Sequence, residues 1–242
     1  MDYYKTNAIY ENLDGSEDYY WVVGNAWILV YGDHGSNPKL IVFAHGKSWR
    51  VDQNIIHVVS NLSRETGIPA IRIEFEDSSS EIDSVDIHKG SGEKVTVGLD
   101  SLKSLYQKYG VPVNNKPCQK SVNDATSSAY HNWQRASLGS ITVSDIDLFY
   151  LGRNREKSII ELKRSYIPLE NWSPYRDDFP NFMLLSNLCS SGGYEFLISY
   201  NVRHKSPFRD DPSIIKLFYY DDAFQSQGTI TLNFEEFASA KY

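Results

Sequence analysis

The chain has 242 residues, of which 41% are hydrophobic, 14% aromatic and 23% charged, a composition that excludes disorder over most of its length. Its formal net charge of −7 argues against a general nucleic-acid coat protein, but it allows an enzyme with a local basic groove. Two cysteines, Cys118 and Cys189, predict reduced thiols in a cytoplasmic protein and no cysteine zinc site. We expect no membrane span and no signal peptide, because no sufficiently long apolar run is present.

The first half of the sequence predicts alternating strands and helices. Period-two and period-3.6 patterns of apolar residues, together with turn and capping residues, mark each segment. In chain order they predict strands over 19–32 and 39–46, a helix capped by Asp52 and stopped by Gly67, a strand over 70–77, a polar loop or weak hairpin over 77–95, and a short helix over 99–110. This half carries no catalytic motif, so we expect it to serve recognition or dimerisation, or to extend the catalytic sheet.

The stretch 111–124 is rich in proline and asparagine and is the best candidate linker. It divides the chain into an N-terminal α/β region, 1–118, and a second region, 119–242. The segments predicted in the second region are a helix over 123–136, strands over 140–152 and 157–165, a helix around 180–190, and strands over 194–202 and 213–221. Together they predict an α/β fold with a mixed sheet.

The two strands around residue 150 predict a hairpin whose faces differ in character. Side chains alternate between the faces of a strand. Asp145 and Asp147 therefore share one face of the first strand, and Glu161 and Lys163 share one face of the second. The isoleucines and leucines between them share the opposite face, which we expect to enter the core.

That grouping of side chains is suited to phosphodiester hydrolysis. Two carboxylates supply the hard oxygen ligands that Mg²⁺ prefers, and the main-chain carbonyl of Leu162 is a candidate third ligand. A lysine two residues beyond the glutamate can hold an attacking water and the phosphate oxygens. A bound divalent cation lowers the pKa of water and neutralises the charge that grows on phosphorus.

The stretch SDIDLFYLGRNREKSIIELKRS resembles the core motif of the PD-(D/E)XK nuclease superfamily, which includes restriction endonucleases, junction resolvases and repair nucleases. That motif is an aspartate on one strand, a variable turn, and a strand with two hydrophobic residues before Glu-x-Lys. Asp147, Glu161 and Lys163 match its three positions, and Ile146 stands where the family name has proline. The spacing between the aspartate and the glutamate lies within the range of the family.

The resemblance implies a restriction-endonuclease-like αβββαβ core, although the sequence patterns predict one strand fewer before the second helix. It implies an endodeoxyribonuclease of a restriction or phage-defence type that uses Mg²⁺, with Mn²⁺ as a substitute, and leaves a 5′-phosphate. Asp147 and Glu161 would hold the metal, with Leu162 and Asp145 as further ligands. DNA is the implied partner, and a homodimer is expected because palindromic sites mirror two-fold symmetry.

The helix before the hairpin supplies one more candidate. Family members often add an acidic or amide residue from that helix, and Gln134 is the nearest equivalent here. We therefore expect Gln134 to assist catalysis, while its amide character weakens the case for a second metal.

Basic residues lie where they could contact phosphates beside this site. They are Arg153 and Arg155 in the hairpin turn, Arg164 directly after the motif, and Arg203 and Lys205 after the next strand. Each group is also compatible with an ordinary solvated loop.

Three alternatives stay open at this point. The same chemistry could act on a repair intermediate, a DNA junction or RNA. The fold could also be a nucleic-acid-binding module without turnover. Finally, Asp, Glu and Lys on a hairpin face could simply be the solvated side of an antiparallel pair.

Overall fold

The computed structural model describes residues 8–89, 92–116, 128–221 and 224–240, which form a mixed α/β fold with two mixed sheets. The helices are α1 (Ala8–Leu13), α2 (Gln53–Thr66), α3 (Leu99–Lys108), α4 (Ala129–Ser137), α5 (Phe179–Gly192) and α6 (Phe234–Ala238), with a 3₁₀ turn at Arg176–Asp178. The strands are β1 (Tyr19–Tyr20), β2 (Ala26–Gly32), β3 (Pro38–Gly46), β4 (Ala70–Phe75), β5 (Ser84–His88), β6 (Lys94–Gly98), β7 (Thr142–Asp145), β8 (Leu148–Leu151), β9 (Lys157–Ser165), β10 (Glu195–Lys205), β11 (Phe208–Tyr220) and β12 (Ser226–Asn233). Within these described ranges, no helix combines the length and apolar character needed to cross a membrane.

Each sheet has six strands. The first sheet has the order β6-β5-β4-β3-β2-β7, and the second has the order β1-β8-β9-β10-β11-β12. Strands β3 and β4 run parallel and are connected by α2, and strands β9 and β10 run parallel and are connected by α5. These crossover helices are what parallel neighbours require, because a short turn cannot connect them.

The sequence signals for α2 are confirmed. The Asp52 side chain accepts a hydrogen bond from the Asn54 N–H at the N-terminus of the helix. Gly67 ends the helix in the left-handed conformation, with φ of 69°, which glycine adopts without a Cβ clash.

Three hydrophobic clusters hold the layers together. The first lies between the sheets and joins α2 and α5 to residues of β2, β3, β9 and β10. The second lies on the other face of the first sheet, under α3 and α4, and the third lies on the other face of the second sheet with α1 and α6. The central strands are consequently buried on both faces, which predicts that any carboxylate on them is shielded from water.

The single strand predicted over 140–152 is wrong. The chain forms β7 in the first sheet, where Asp145 pairs with Leu29, and then β8 in the second sheet, where Leu148 pairs with Ile160. Between them Ile146 still donates its N–H to the Ile28 carbonyl of the first sheet. Alternation along the sequence does not reveal such a change of sheet, because both strands continue the same pattern.

The segment predicted as one strand over 19–32 is divided in the same way. Strand β1 joins the second sheet beside β8, whereas β2 joins the first sheet beside β3 and β7. The polar stretch predicted over 77–95 contains β5 and the start of β6, which form a regular antiparallel pair.

The predicted boundary at residues 118–119 lies outside the described residues, as does most of the predicted linker. Across that boundary the two regions exchange strands, since β1 contributes to the second sheet and β7 to the first. The first hydrophobic cluster also draws on both regions. The two-region division stays a prediction, and the packing between the sheets is continuous across it.

Candidate active site

Asp147 lies where the chain passes from the first sheet to the second. Strand β8 starts one residue later, so the backbone opposite Leu162 on β9 is not a regular strand partner. The Asp147 carboxylate takes the place of that partner and accepts the Leu162 N–H at 2.8 Å. The Asp147 carbonyl accepts a hydrogen bond from the Tyr10 hydroxyl at 3.0 Å, which fixes the crossover from the other side.

The same break in pairing removes the regular strand partner of the Leu162 carbonyl. The register of β8 and β9 would place Ile146 opposite Leu162, but the Ile146 N–H is used by Ile28 in the first sheet. In an antiparallel pair both backbone groups of one residue point to the same neighbour. The Leu162 carbonyl therefore faces the side on which Asp147 lies, as a metal ligand at this position requires.

Glu161 and Lys163 lie together on the face of β9 that packs against α5. The Lys163 ammonium is 2.7 Å from Oε1 of Glu161 and 5.3 Å from the centre of the Phe182 ring. Glu161 is only 5% exposed, and its buried Oε2 has no hydrogen-bond partner within the part of the chain that the structure describes. A buried, unsatisfied carboxylate oxygen is costly unless something else binds it.

This burial contradicts the interpretation of the hairpin as a solvated antiparallel pair. Ile160 packs in the third cluster and Ile159 in the first, so both faces of β9 are covered. The expectation that Ile146 and Leu148 enter one core together is also wrong. Ile146 packs between the sheets, whereas Leu148 packs on the outer side of the second sheet.

Two further carboxylates act on these groups. The charge of Asp145 raises the pKa of both Asp147 and Glu161, and the charge of Asp178 raises that of Glu161. Asp178 occupies the N-cap position of α5 without making a side-chain capping bond. The sequence patterns did not predict Asp178 as a site residue, although the acidic pair Asp177 and Asp178 directly precedes the predicted helix around 180–190. We call Asp145, Asp147, Glu161, Lys163 and Asp178 the acid site.

Electrostatics at the acid site favour the addition of positive charge. Burial raises the pKa of Asp147, and the neighbouring charge of Glu161 raises it further. Burial also raises the pKa of Glu161, although Lys163 opposes this effect. Burial alone would lower the pKa of Lys163, but Glu161 and Asp147 outweigh it and hold the pKa above its usual range. One ammonium thus faces several carboxylates, and a divalent cation would compensate the remainder.

The donors at the acid site fit Mg²⁺. They are the carboxylates of Asp147 and Glu161 and the carbonyl of Leu162, which are all hard oxygen atoms. The Oε2 of Glu161 provides one ligand that no described protein group uses. Asp147 and Asp145 line a pocket of about 10 Å³ with Tyr10 and Val22, which has room for about one water molecule or ion.

The structure places Gln134 in a different environment. Its Oε1 accepts a hydrogen bond from the Tyr31 hydroxyl at 2.6 Å, within the second hydrophobic cluster. Tyr31 also bonds to Tyr130, and Tyr130 to Tyr106, so Gln134 ends a chain of buried hydroxyls. These contacts explain Gln134 as a structural residue, and its predicted catalytic role stays a prediction.

Two of the predicted phosphate-binding arginines are engaged within the protein. Arg203 and Arg164 make ion pairs with the buried Asp210 at 2.6 Å and 3.2 Å. Asp210 is so enclosed that it needs these partners, so the two arginines stabilise the junction of β10 and β11. Lys205 lies 4.8 Å from the centre of the Tyr166 ring.

The hairpin turn keeps its basic residues at the surface. Arg153 pairs with Glu17 at 3.1 Å, and both side chains are highly exposed, so this pair is easily exchanged for a phosphate. Arg155 is exposed and has a positive φ of 70° in the turn. Of the predicted contacts, these two and Lys205 are exposed, whereas Arg164 and Arg203 are partly buried.

Comparisons of the chain with protein-family models, with curated proteins and with solved structures find no match. The class of the site therefore rests on its own geometry. The Asp147 carboxylate accepts the Leu162 N–H, and the buried Glu161 carboxylate pairs with the Lys163 ammonium through Oε1, while its Oε2 has no hydrogen-bond partner among the described residues.

Proposed function

We propose that this protein is a Mg²⁺-dependent endodeoxyribonuclease of the PD-(D/E)XK type, acting in restriction or phage defence. The observation that carries the proposal is the buried Oε2 of Glu161, which has no hydrogen-bond partner among the described residues. The other oxygen of this carboxylate, Oε1, pairs with Lys163, and the charge of Glu161 acts on Asp147. Buried carboxylate oxygens are usually hydrogen-bonded, and an oxygen left without a partner is available to a cation that prefers oxygen ligands.

The order of elements around the acid site also supports the proposal. Helix α4 is followed by β7, β8 and β9, then by α5 and β10. In chain order this matches the helix, three strands, helix and strand that the superfamily resemblance implies, with β7 joining the first sheet and β8, β9 and β10 the second. The third strand, which the sequence patterns did not predict, results from the division of 140–152 into β7 and β8.

Each residue has a specific task in this mechanism. Asp147, Glu161 and the Leu162 carbonyl would hold Mg²⁺, which supplies activation of water and charge neutralisation at phosphorus when bound. Lys163 orients the attacking water and donates to a phosphate oxygen, because its ammonium stays charged near pH 7. Water adds to phosphorus and the bond to the 3′ oxygen breaks, which leaves a 5′-phosphate and a 3′-hydroxyl.

The setting that goes with this function is the cytoplasm, where Cys189 stays a buried free thiol. DNA is the proposed partner, and Arg153 and Arg155 are the proposed first phosphate contacts. A homodimer would match a palindromic site.

The test compares two lysines of the same strand on supercoiled plasmid DNA. Lys163→Met removes the ammonium of the acid site, while Lys157→Met removes one that pairs with Glu65 at 3.0 Å. We expect Mg²⁺-dependent cleavage that EDTA abolishes, a loss of about 100-fold or more in Lys163→Met, and a rate close to wild type in Lys157→Met.

Equal cleavage by both variants, or cleavage in EDTA, would contradict the proposal. If wild type cuts no plasmid, the assay is repeated with junction DNA and with RNA, which separates the junction and RNA-directed alternatives. Absence of cutting on all substrates would favour the module without turnover.

A further inference from the structure

A second cluster of polar side chains lies in the first sheet, on the neighbouring strands β3, β4 and β5. His45 pairs with Glu74, and His88 pairs with Arg72, which lies two positions from Glu74, so His45, Glu74 and His88 share one face of the sheet. Helix α2 covers this face. One potential ligand atom from each of the three residues lies within 4.8 Å of those of the other two. We call these three residues the histidine cluster.

The proton on His45 is fixed by its two neighbours. Arg72 donates its Nε–H to Nε2 of His45 at 2.9 Å, and since arginine can only donate, Nε2 carries no proton. The proton is therefore on Nδ1, which donates to the Gly46 carbonyl at 3.1 Å. Metal-binding histidines commonly show this arrangement, in which one nitrogen is anchored by a carbonyl and the other is an acceptor.

We propose that His45, Glu74 and His88 form a Zn²⁺ site that is separate from the acid site. Two imidazole nitrogens and one carboxylate oxygen are a ligand set that Zn²⁺ accepts, with a fourth position left for water or another group. The site does not depend on nuclease activity, because none of its residues belongs to the acid site.

The burial of the ligands suits metal binding. His45 is 1% exposed, and the side chains of Glu74 and His88 are 13% and 14% exposed, so the three are held in place by packing. Burial lowers the pKa of both histidines, and the charge of Arg72 lowers it further. Both imidazoles are consequently neutral near pH 7, which is the form that binds metal.

Two cations compete with Zn²⁺ at this cluster. Arg72 occupies Nε2 of His45, and Lys94 lies 2.7 Å from Oε1 of Glu74. Arg72 also lines a cavity of about 460 Å³ beside α2, which gives its guanidinium room to move away. Lys94 is about half exposed and can turn into solvent. Zn²⁺ binding thus exchanges the contacts of Arg72 and Lys94 for one coordinated cation.

The experiment titrates ZnCl₂ into the metal-free full-length protein, against a chromophoric chelator and in thermal melts. We expect Zn²⁺ to raise the Tm of wild type, because a ligand that binds only the folded state stabilises it. His88→Ala should weaken binding by more than about 100-fold, which exceeds the loss typical of residues that only orient a ligand. His57→Ala, which removes an exposed histidine of α2, is the matched control and should bind like wild type.

A third variant makes the proposal more specific. Arg72→Met removes the competing donor and its charge, so Zn²⁺ should bind at least about tenfold more tightly. If His88→Ala does not fold, Glu74→Gln serves in its place, and Co²⁺ absorption reports the geometry of the site directly. Asp147→Asn should keep Zn²⁺ binding, which separates this site from the nuclease.

The proposal is overturned if wild type binds no Zn²⁺ above the level of His88→Ala, or if Arg72→Met weakens binding. Neither result would bear on cleavage at the acid site, and failure of the plasmid assay would not bear on Zn²⁺ binding.

Discussion

The acid site and the histidine cluster lie on different sheets of one fold and have opposite electrostatic character. At the acid site several carboxylates face one ammonium, and burial raises the pKa of Asp147 and Glu161. In the histidine cluster one carboxylate faces two neutral imidazoles and the cations of Arg72 and Lys94. The acid site has fewer positive than negative groups, whereas at the histidine cluster a metal must displace the cations of Arg72 and Lys94. Whether polar residues on buried strands can bind a metal therefore depends on how far neighbouring charges already neutralise them.

The largest expected effect is on plasmid cleavage, which should depend on the acid site and not on the histidine cluster. Asp147→Asn keeps the shape of the side chain but removes its charge, so we expect plasmid cleavage with Mg²⁺ to fall roughly 10²- to 10³-fold. His88→Ala should cleave at the wild-type rate, because the histidine cluster belongs to the first sheet. Initial rates of plasmid nicking at saturating Mg²⁺, measured for Asp147→Asn and His88→Ala beside wild type, test both expectations.

A comparable loss in His88→Ala would remove the distinction between the sites. Circular dichroism of each variant provides the control for folding, so that a loss of rate is not confused with a loss of protein.

An intermediate effect tests whether Gln134 belongs to the acid site. Gln134→Leu leaves the Tyr31 hydroxyl without one of its partners in a fully buried cluster. We expect the free energy of unfolding to fall by about 1–3 kcal/mol, the usual cost of an unsatisfied buried group. Cleavage at a temperature where the variant is folded should match wild type. A rate as low as that of Asp147→Asn, at unchanged stability, would restore Gln134 to catalysis.

The smallest expected effect concerns pH and the carboxylates of the acid site. Because the pKa of Glu161 is raised in the folded state, the folded protein keeps this proton at pH values where the unfolded chain has lost it. Glu161 therefore does not destabilise the folded protein below the ordinary glutamate pKa of about 4.3. Its destabilising effect on the folded state grows as pH rises from there toward the raised pKa. In EDTA the Tm of wild type should thus fall more steeply with rising pH than that of Glu161→Gln.

At pH 8 without metal, we expect Glu161→Gln to melt a few degrees above wild type, since about 1 kcal/mol shifts Tm by roughly 2–4 °C at this chain length. Added Mg²⁺ should reverse the order by stabilising only wild type. If the Tm of the two proteins changed with pH in the same way, the charge of Glu161 would not destabilise the folded state.

Local sequence patterns were sufficient to predict much of the framework. The caps of α2 at Asp52 and Gly67 and the antiparallel pairing of β8 with β9 follow from signals within a few residues. The hairpin alternation also placed Glu161 and Lys163 on one face, and the structure has them 2.7 Å apart. These predictions succeed because turn chemistry and period-two alternation act over short distances.

The sequence by itself determined most of the central strands and helices and the kinds of chemical group on each. Only the tertiary structure decided that the chain changes sheets at Asp147, that Asp178 approaches Glu161, and that Arg164 and Arg203 enclose Asp210. It also brought His45 and His88 together across an intervening strand. The physical reason is that these contacts join residues distant in sequence, whose pairing is set by which faces the two sheets and their helices bury together.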